Sequence, residues 1–155
     1  MRLTAMILAL MIASGLVAAT SLAADPVADP KDVDVQVLVI RATTKNKEIS
    51  PELKELADKL RKQFKYTGFK LEKRDTGRAQ LGSAYKTALI GGYEAAITPQ
   101  RVDGKRLTLQ VRVLKKNEEK PKLDMSVTIP AGEFQITGGW ELDAGDALIG
   151  GFTGK

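Results

Sequence analysis

The chain has 155 residues, a formal net charge of +5 at pH 7, and 28% charged residues. It contains no cysteine and no histidine, which excludes disulfides, zinc sites built from these residues, and nucleophiles activated by histidine. A chain of this length favours a single domain that buries about two-thirds of its unfolded surface.

The N-terminal residues follow the order of a secretory signal peptide. Arg2 provides a positive start, and a mostly apolar run extends from Leu3 to Val17 before small residues. This run is shorter than the ~20 apolar residues that a membrane-spanning helix needs. We therefore expect residues 1–24 to be a signal peptide, cleaved after Ala23 or Ala24. The protein would then be periplasmic or secreted, with no stable membrane anchor after cleavage; a retained anchor is the alternative.

The charge of the mature chain remains basic. Arg2 is the single charged residue of the signal peptide, so its removal lowers the net charge from +5 to +4. A basic balance favours anionic partners such as an anionic cell-envelope polymer, and export argues against a nucleic-acid partner. Residues 25–32 contain acids and prolines, which predicts a flexible lead before one domain over residues 33–155.

The first elements of this domain are a strand and a helix. Residues 33–40 (VDVQVLVI) alternate at first and then become continuously apolar, which predicts a strand buried on both faces at its end. Ser50 and Pro51 favour a helix start, and Gly68 favours its end. Apolar residues three and four positions apart predict one buried helix face: Leu53, Leu56, Ala57, Leu60 and Phe64.

After Gly68 the apolar period changes from helical to two. A strand begins at Phe69, a turn is predicted at residues 75–77, and Pro99 is predicted to end a later strand. Asp103 and Gly104 predict a hairpin. Further strands are expected at residues 81–90, 107–113, 123–129, 134–142 and 147–152. The predicted class is α+β: an antiparallel sheet, mixed or partly folded over in the alternatives, with one amphipathic helix packed on it.

Two groups of side chains are candidates for ligand binding. A basic group, predicted to surround a hairpin tip, suits an anionic polymer or an acidic partner surface: Lys70, Lys73, Arg74 and Arg78. Tyr93 and Trp140, with Tyr85 and Phe152, suit a sugar-stacking platform, although packing in the core is the alternative use of these aromatics. No cofactor, metal ligand or catalytic residue is predicted.

Three acids in the segment GGWELDAGD form a further cluster: Glu141, Asp143 and Asp146. Their spacing lacks the alternating acids of a calcium loop. A carboxylate-dependent hydrolase would need one of these groups in an apolar setting and another in contact with solvent.

The strand pattern over residues 93–152 resembles that of secretin outer-membrane channel cores. It has a strand ending in proline (AAITP), an Asp-Gly hairpin (VDG), an alternating strand (LTLQVRV) and a late Gly-Gly (ALIGG). The preceding β–α–β unit is similar to the ring-building domains of such proteins. The layout also resembles small uncharacterised exported bacterial proteins. Neither resemblance implies functional residues, and the chain is shorter than a complete secretin.

These observations favour an exported, non-enzymatic module for protein–protein interaction or assembly. Its alternating strands are expected to leave a sheet edge that accepts a strand from a protein partner or from another copy. A module that binds an anionic glycan or another cell-wall ligand is the alternative, and a carboxylate-dependent hydrolase is the third hypothesis.

Overall fold

The computed structural model describes residues 32–155, so the predicted signal peptide lies outside the described residues. The predicted lead also lies outside them, except for Asp32, where the first strand begins. The strands are β1 (Asp32–Thr43), β2 (Gly68–Gln80), β3 (Tyr85–Ala88), β4 (Tyr93–Asp103), β5 (Arg106–Lys115), β6 (Leu123–Pro130), β7 (Gln135–Glu141) and β8 (Ala147–Gly154). A 3₁₀ helix (Pro51–Leu56) continues into α1 (Ala57–Gln63), and a 3₁₀ turn (Asp143–Gly145) precedes β8.

The strands form two four-stranded sheets, and every pairing between strands is antiparallel. The first sheet has the order β2-β1-β8-β7, and the second has the order β3-β4-β5-β6. One hydrophobic core joins the two sheets, and another joins the helix to the first sheet. The predicted α+β class, with antiparallel strands and a packed helix, is confirmed. The strands belong to two facing sheets, however, and not to one continuous sheet.

The strand β1 lies at the centre of these three layers. Val37 and Val39 belong to the core between the sheets, whereas Leu38 and Ile40 belong to the core under the helix. Successive strand residues point to opposite faces. A strand with a layer on each side must therefore be apolar at both its odd-numbered and its even-numbered positions. The prediction of a strand buried on both faces is confirmed.

The helical segment begins at Pro51 and buries the predicted face, which confirms both predictions, but its first turns are 3₁₀ and it ends before the predicted residue. Leu53 and Leu60 are fully buried, while the first six residues are 3₁₀. Ser50 does not cap the helix, because its Oγ accepts a hydrogen bond from the backbone N–H of Leu71 at 2.9 Å. The helix ends at Gln63, and Gly68 instead begins β2.

The predicted turn at residues 75–77 was wrong, because these residues lie within β2, which is 13 residues long. Gly77 is needed here for a close approach: a Cβ at this position would overlap the ring of Tyr85. Without that side chain, the aromatic ring of β3 packs directly on the backbone of β2. A glycine that admits a neighbouring ring has the same local sequence as a glycine in a turn.

The strand β4 also continues past its predicted end at Pro99. Leu89 N–H donates to Tyr93 O at 2.8 Å, so the odd-numbered residues of β4 direct their backbone groups towards β3. The strand β3 begins at Tyr85, opposite Ile97. Pro99 therefore lies beyond β3, where its missing N–H breaks no pairing.

Candidate functional site

The aromatic candidates lie in or against the core between the sheets. Tyr93 is 4% exposed, and its hydroxyl donates to Glu141 O at 3.0 Å. The ring centroids of Tyr93 and Trp140 are 6.1 Å apart, and Lys115 Nζ lies 5.4 Å from the Tyr93 centroid. Trp140 is half-buried and Phe152 is fully buried. These contacts favour the core-packing interpretation of the aromatic group.

The basic candidates lie along β2 and do not surround a hairpin tip. Lys73 pairs in register with Val39, whose side chain faces the second sheet, whereas Arg74 pairs with Leu38 on the opposite face. Lys70 lies beyond a register shift, beside Arg41. The four cations are therefore distributed over both faces of one edge strand.

Two of these cations already have partners. Lys73 Nζ lies 2.9 Å from Asp75 Oδ2 and 3.1 Å from Ala88 O. Arg78 Nε donates to Asp34 Oδ1 at 2.9 Å. These contacts connect β2 to β3 and to β1, so the two side chains support the edge of the first sheet.

The three acids considered for hydrolysis do not converge. Glu141 and Asp143 line one cavity of about 550 Å³, whereas Asp146 lines another of about 630 Å³. Arg41 Nη1 lies 3.3 Å from Asp146 Oδ2. The Thr43 hydroxyl and then the Arg41 guanidinium lower the pKa of Asp146 below its ordinary value, although desolvation opposes them. Asp146 is consequently an ion-pair partner at neutral pH and not a proton donor.

The ion-pair group of Arg41 with Glu72 and Asp146 was not predicted from the sequence. The Arg41 Nε donates to Glu72 Oε1 at 2.9 Å, and this hydrogen bond is the largest factor that raises the pKa of Arg41. The group ties β1 to β2 and to the turn before β8. Its one sequence cue is a charged residue at the end of an apolar strand. Among residues 32–155, no group of three or more acidic side chains is arranged to hold a metal ion.

The remaining candidate surface is a sheet edge, where backbone N–H and C=O groups lack a neighbouring strand. The edge strands are β2 and β7 in the first sheet and β3 and β6 in the second. At the start of β2, the segment 48–50 covers the edge: Phe69 N–H donates to Glu48 O at 2.8 Å, and Ser50 N–H donates to Phe69 O at 3.0 Å. Further along β2, Arg74 and Arg78 place charge on the edge.

Two other edges are interrupted by different means. The strand β3 has only four residues, and its Ala88 O accepts the hydrogen bond from Lys73. In β7, Ile136 O accepts from Gln63 Nε2 at 2.9 Å. The pairing of β7 with β8 then shifts at Gly138 and Gly139, which have φ values of 141° and 91°. Gly138 and Gly139 thus form a bulge in β7.

The backbone pattern of β6 shows which of its groups face outward. Ala131 N–H donates to Lys105 O at 2.7 Å, in register with the pairing of β5 and β6. Hydrogen-bonded and non-hydrogen-bonded pairs alternate in an antiparallel ladder, so the odd-numbered residues of β6 bond to β5. The N–H and C=O groups of Asp124, Ser126 and Thr128 point away from β5. We call these six groups the β6 edge.

Within residues 32–155, no hydrogen bond reaches the β6 edge. The three side chains lie on the outer face of the sheet and bond sideways to β4 and β5. The contacts are Thr128 to Thr108 at 2.8 Å, Asp124 to Gln110 at 3.2 Å and to Arg112 at 3.3 Å, and Ser126 to Gln100 at 3.0 Å. These contacts direct the side chains away from the edge.

The inner face of β6 is apolar. Leu123, Met125 and Val127 are half-buried, and Ile129 is 6% exposed. The strand contains no lysine or arginine, which proteins use to protect an edge. Its one proline, Pro130, is its last residue, and the carboxylate of Asp124 is paired with Arg112. The β6 edge therefore combines outward backbone groups with partly covered apolar side chains.

Comparison of the chain with models of protein families, with characterised proteins and with solved structures found no match. The resemblances to secretin cores and to small exported proteins stay predictions. Among residues 32–155, no helix has the length and apolar character needed to cross a membrane.

Proposed function

We propose that this chain is an exported, non-enzymatic interaction module that binds an extended strand of a protein partner at the β6 edge. One observation carries the proposal: among the four edge strands, β6 alone has neither a capping contact, a bulge nor a basic residue within residues 32–155. The export component depends on the signal peptide predicted from residues 1–24.

The chemistry of an added strand fits this edge. Each main-chain hydrogen bond that replaces hydration contributes about 1 kcal/mol net, and a partner strand gains affinity from a row of such bonds. Alternate side chains of the partner would cover Met125 and Val127 and thereby extend the core. Burial of apolar surface contributes about 25 cal/mol per Å², so specificity for alternating apolar residues is expected.

The environment of Asp146 argues against a carboxylate mechanism that uses this residue. Its carboxylate is paired with Arg41 and lines a different cavity from Glu141 and Asp143. Two carboxylates that share one substrate must face one cavity, so Asp146 does not form such a pair with either of the other two acids.

The test uses a photo-reactive residue at position 128, introduced into the exported protein in living cells. We expect covalent adducts through the β6 edge, whereas the same photo-reactive residue at position 59, on the exposed face of α1, should yield none. The intact mass of the recovered protein also reports whether the signal peptide was removed.

A second substitution makes this test specific for backbone pairing. Ser126→Pro removes one outward N–H and leaves the ladder to β5 intact, as Pro130 already does at the end of β6. Ser126→Ala is the matched control, because it loses the hydroxyl contact to Gln100 but keeps the N–H. Adducts should disappear in Ser126→Pro and persist in Ser126→Ala. Equal adduct yields in both variants would refute strand addition at β6.

A further inference from the structure

We infer that the strand received by β6 is β6 of a second copy, paired antiparallel about a two-fold axis at Ser126. This inference rests on the proposed function of the β6 edge. It joins two sheets of order β3-β4-β5-β6 into one continuous sheet of eight strands, because each copy contributes four.

The backbone of β6 is complementary to itself in this register. A two-fold axis at Ser126 places Ser126 opposite its own copy and Asp124 opposite Thr128. Outward residues then face outward residues in three pairs, and each pair exchanges two hydrogen bonds. Every N–H and every C=O of the β6 edge thus gains a partner.

The ladder of hydrogen bonds between the two copies does not extend beyond these three pairs, because no further outward N–H group is available. The next pair in this register is Lys122 with Pro130. Pro130 has no N–H, and Lys122 N–H already donates to Val113 O at 2.7 Å. The two-fold pairing therefore leaves no outward N–H of residues 122–130 without a partner.

The inner face of the pair is apolar throughout. Met125 lies opposite Val127, and Leu123 lies opposite Ile129. They lie on the side where Leu123, Val127 and Ile129 already pack in or against the core between the sheets. Apolar cross-strand pairs of this kind each contribute roughly 0.2–1 kcal/mol. The association consequently extends a layer that each copy has already built.

Neighbouring registers are less complementary. An axis at Val127 places Asp124 opposite Pro130, which lacks the donor for the Asp124 carbonyl. An axis at Met125 places Thr128 opposite Lys122, whose N–H already donates to Val113 O. An axis at Asp124 places two carboxylates directly opposite each other, which is destabilising. In the register centred on Ser126, the Asp124 carboxylate faces a threonine and keeps its contact to Arg112.

Because the sequence contains no cysteine, any disulfide in a single-cysteine variant must join the introduced residues of two copies. In the proposed pair the two Ser126 Cα atoms are about 5.5 Å apart, within the range of a disulfide. Purified Ser126→Cys protein should therefore form covalent dimers under mild oxidation. Thr128→Cys is the matched control on the same face, because four residues of strand, about 14 Å, separate the two copies of position 128.

The expected result is roughly ten-fold more disulfide dimer from Ser126→Cys than from Thr128→Cys. A mixture of Asp124→Cys and Thr128→Cys chains should form the mixed disulfide. Unsubstituted protein should dimerise with increasing concentration in sedimentation experiments. Its amides at positions 124, 126 and 128 should exchange more slowly in the dimer, which provides a readout independent of folding of the cysteine variants.

The outcomes separate this inference from the proposed function. Monomeric unsubstituted protein, without protection of these three amides at any concentration reached, would overturn pairing with a second copy. The proposed function would still stand if Ser126→Pro abolished photo-adducts to a different protein in cells. Equal dimer yields from Ser126→Cys and Thr128→Cys would overturn the register.

Discussion

The edge strands β2 and β6 differ in how far other groups cover or protect their unpaired backbone N–H and C=O groups. The strand β2 is 13 residues long, carries four basic residues, and is partly covered by the segment 48–50. The strand β6 has eight residues and no basic residue. The longer strand is the better protected one. Between these two edges, the contacts and charges along the strand, and not its length, account for the difference in protection.

The largest expected effect on stability comes from a substitution in the glycine bulge of β7, which is one of the protected edges. A Cβ at Gly138 would lie 2.6 Å from Leu148 O and 2.7 Å from Ile149 Cα, at a φ of 141°. We expect Gly138→Ala to lower the free energy of unfolding by about 3 kcal/mol in urea denaturation, from backbone strain and crowding together.

Gly132→Ala is the control for the crowding at Gly138. Gly132 has a φ of 86°, but a Cβ there would meet no atom within 4 Å. Backbone strain alone should then lower the free energy of unfolding by roughly 1–2 kcal/mol. Equal losses of unfolding free energy in Gly138→Ala and Gly132→Ala would show that the contacts of the added Cβ with β8 do not lower stability.

The connection between β2 and β3 should weaken in acid. Burial raises the pKa of Asp75, but hydrogen bonds from Thr87 and Lys73 outweigh it and leave this pKa below its ordinary value. The ionised form is therefore favoured by folding. Its contribution to stability is fully present above about pH 4 and is lost as the pH falls through the lowered pKa.

The measurement is the free energy of unfolding between neutral pH and pH 2, compared between the unsubstituted protein and Asp75→Asn. The variant should be less stable at neutral pH and should lose less stability on acidification. Asp103→Asn is the control, because its side chain is 78% exposed beside Arg101. Parallel curves for the unsubstituted protein and Asp75→Asn would contradict the role of this carboxylate.

The smallest expected change in stability comes from removing charge from the β2 edge. The double substitution Arg74→Thr and Arg78→Thr should change the free energy of unfolding by less than about 1 kcal/mol, because these side chains and the pair with Asp34 are exposed. Its main effect should be association through β2, measured by light scattering in a Ser126→Pro background.

The matched control for this pair is Lys105→Thr with Arg106→Thr in the hairpin between β4 and β5. Both double variants lower the net charge by two. Association of the β2 variant alone would show that the two arginines protect the edge. Equal association of both would attribute the effect to net charge.

Much of the fold could be predicted because local periodicity is a direct consequence of burial. The buried face of the helix and the strand β5 follow from periods of 3.6 and two, and the burial of β1 on both faces follows from its continuous apolar run. The errors at Gly77 and Pro99 have a common origin. Each residue has a turn-like local preference, but a distant partner, the Tyr85 ring or the end of β3, determines its role.

The type of candidate site, a sheet edge, could be predicted from the sequence, but its position could not. The alternating strands predicted a sheet edge that accepts a strand, but the sequence did not show which strands lie at the edges of the sheets. The capping contacts that exclude the other edges join residues far apart in the chain, such as Gln63 and Ile136 or Lys73 and Ala88. The predicted basic group was also divided between two faces by the register of β2 with β1.

The sequence by itself determined the position of most strands, of the helix and of the faces they bury, because these depend on neighbours within a few residues. Only the tertiary structure decided that β8 lies between β1 and β7 and that β6 ends a sheet. Backbone hydrogen bonds between strands use groups common to nearly all residues, so their partners leave almost no trace in the local sequence.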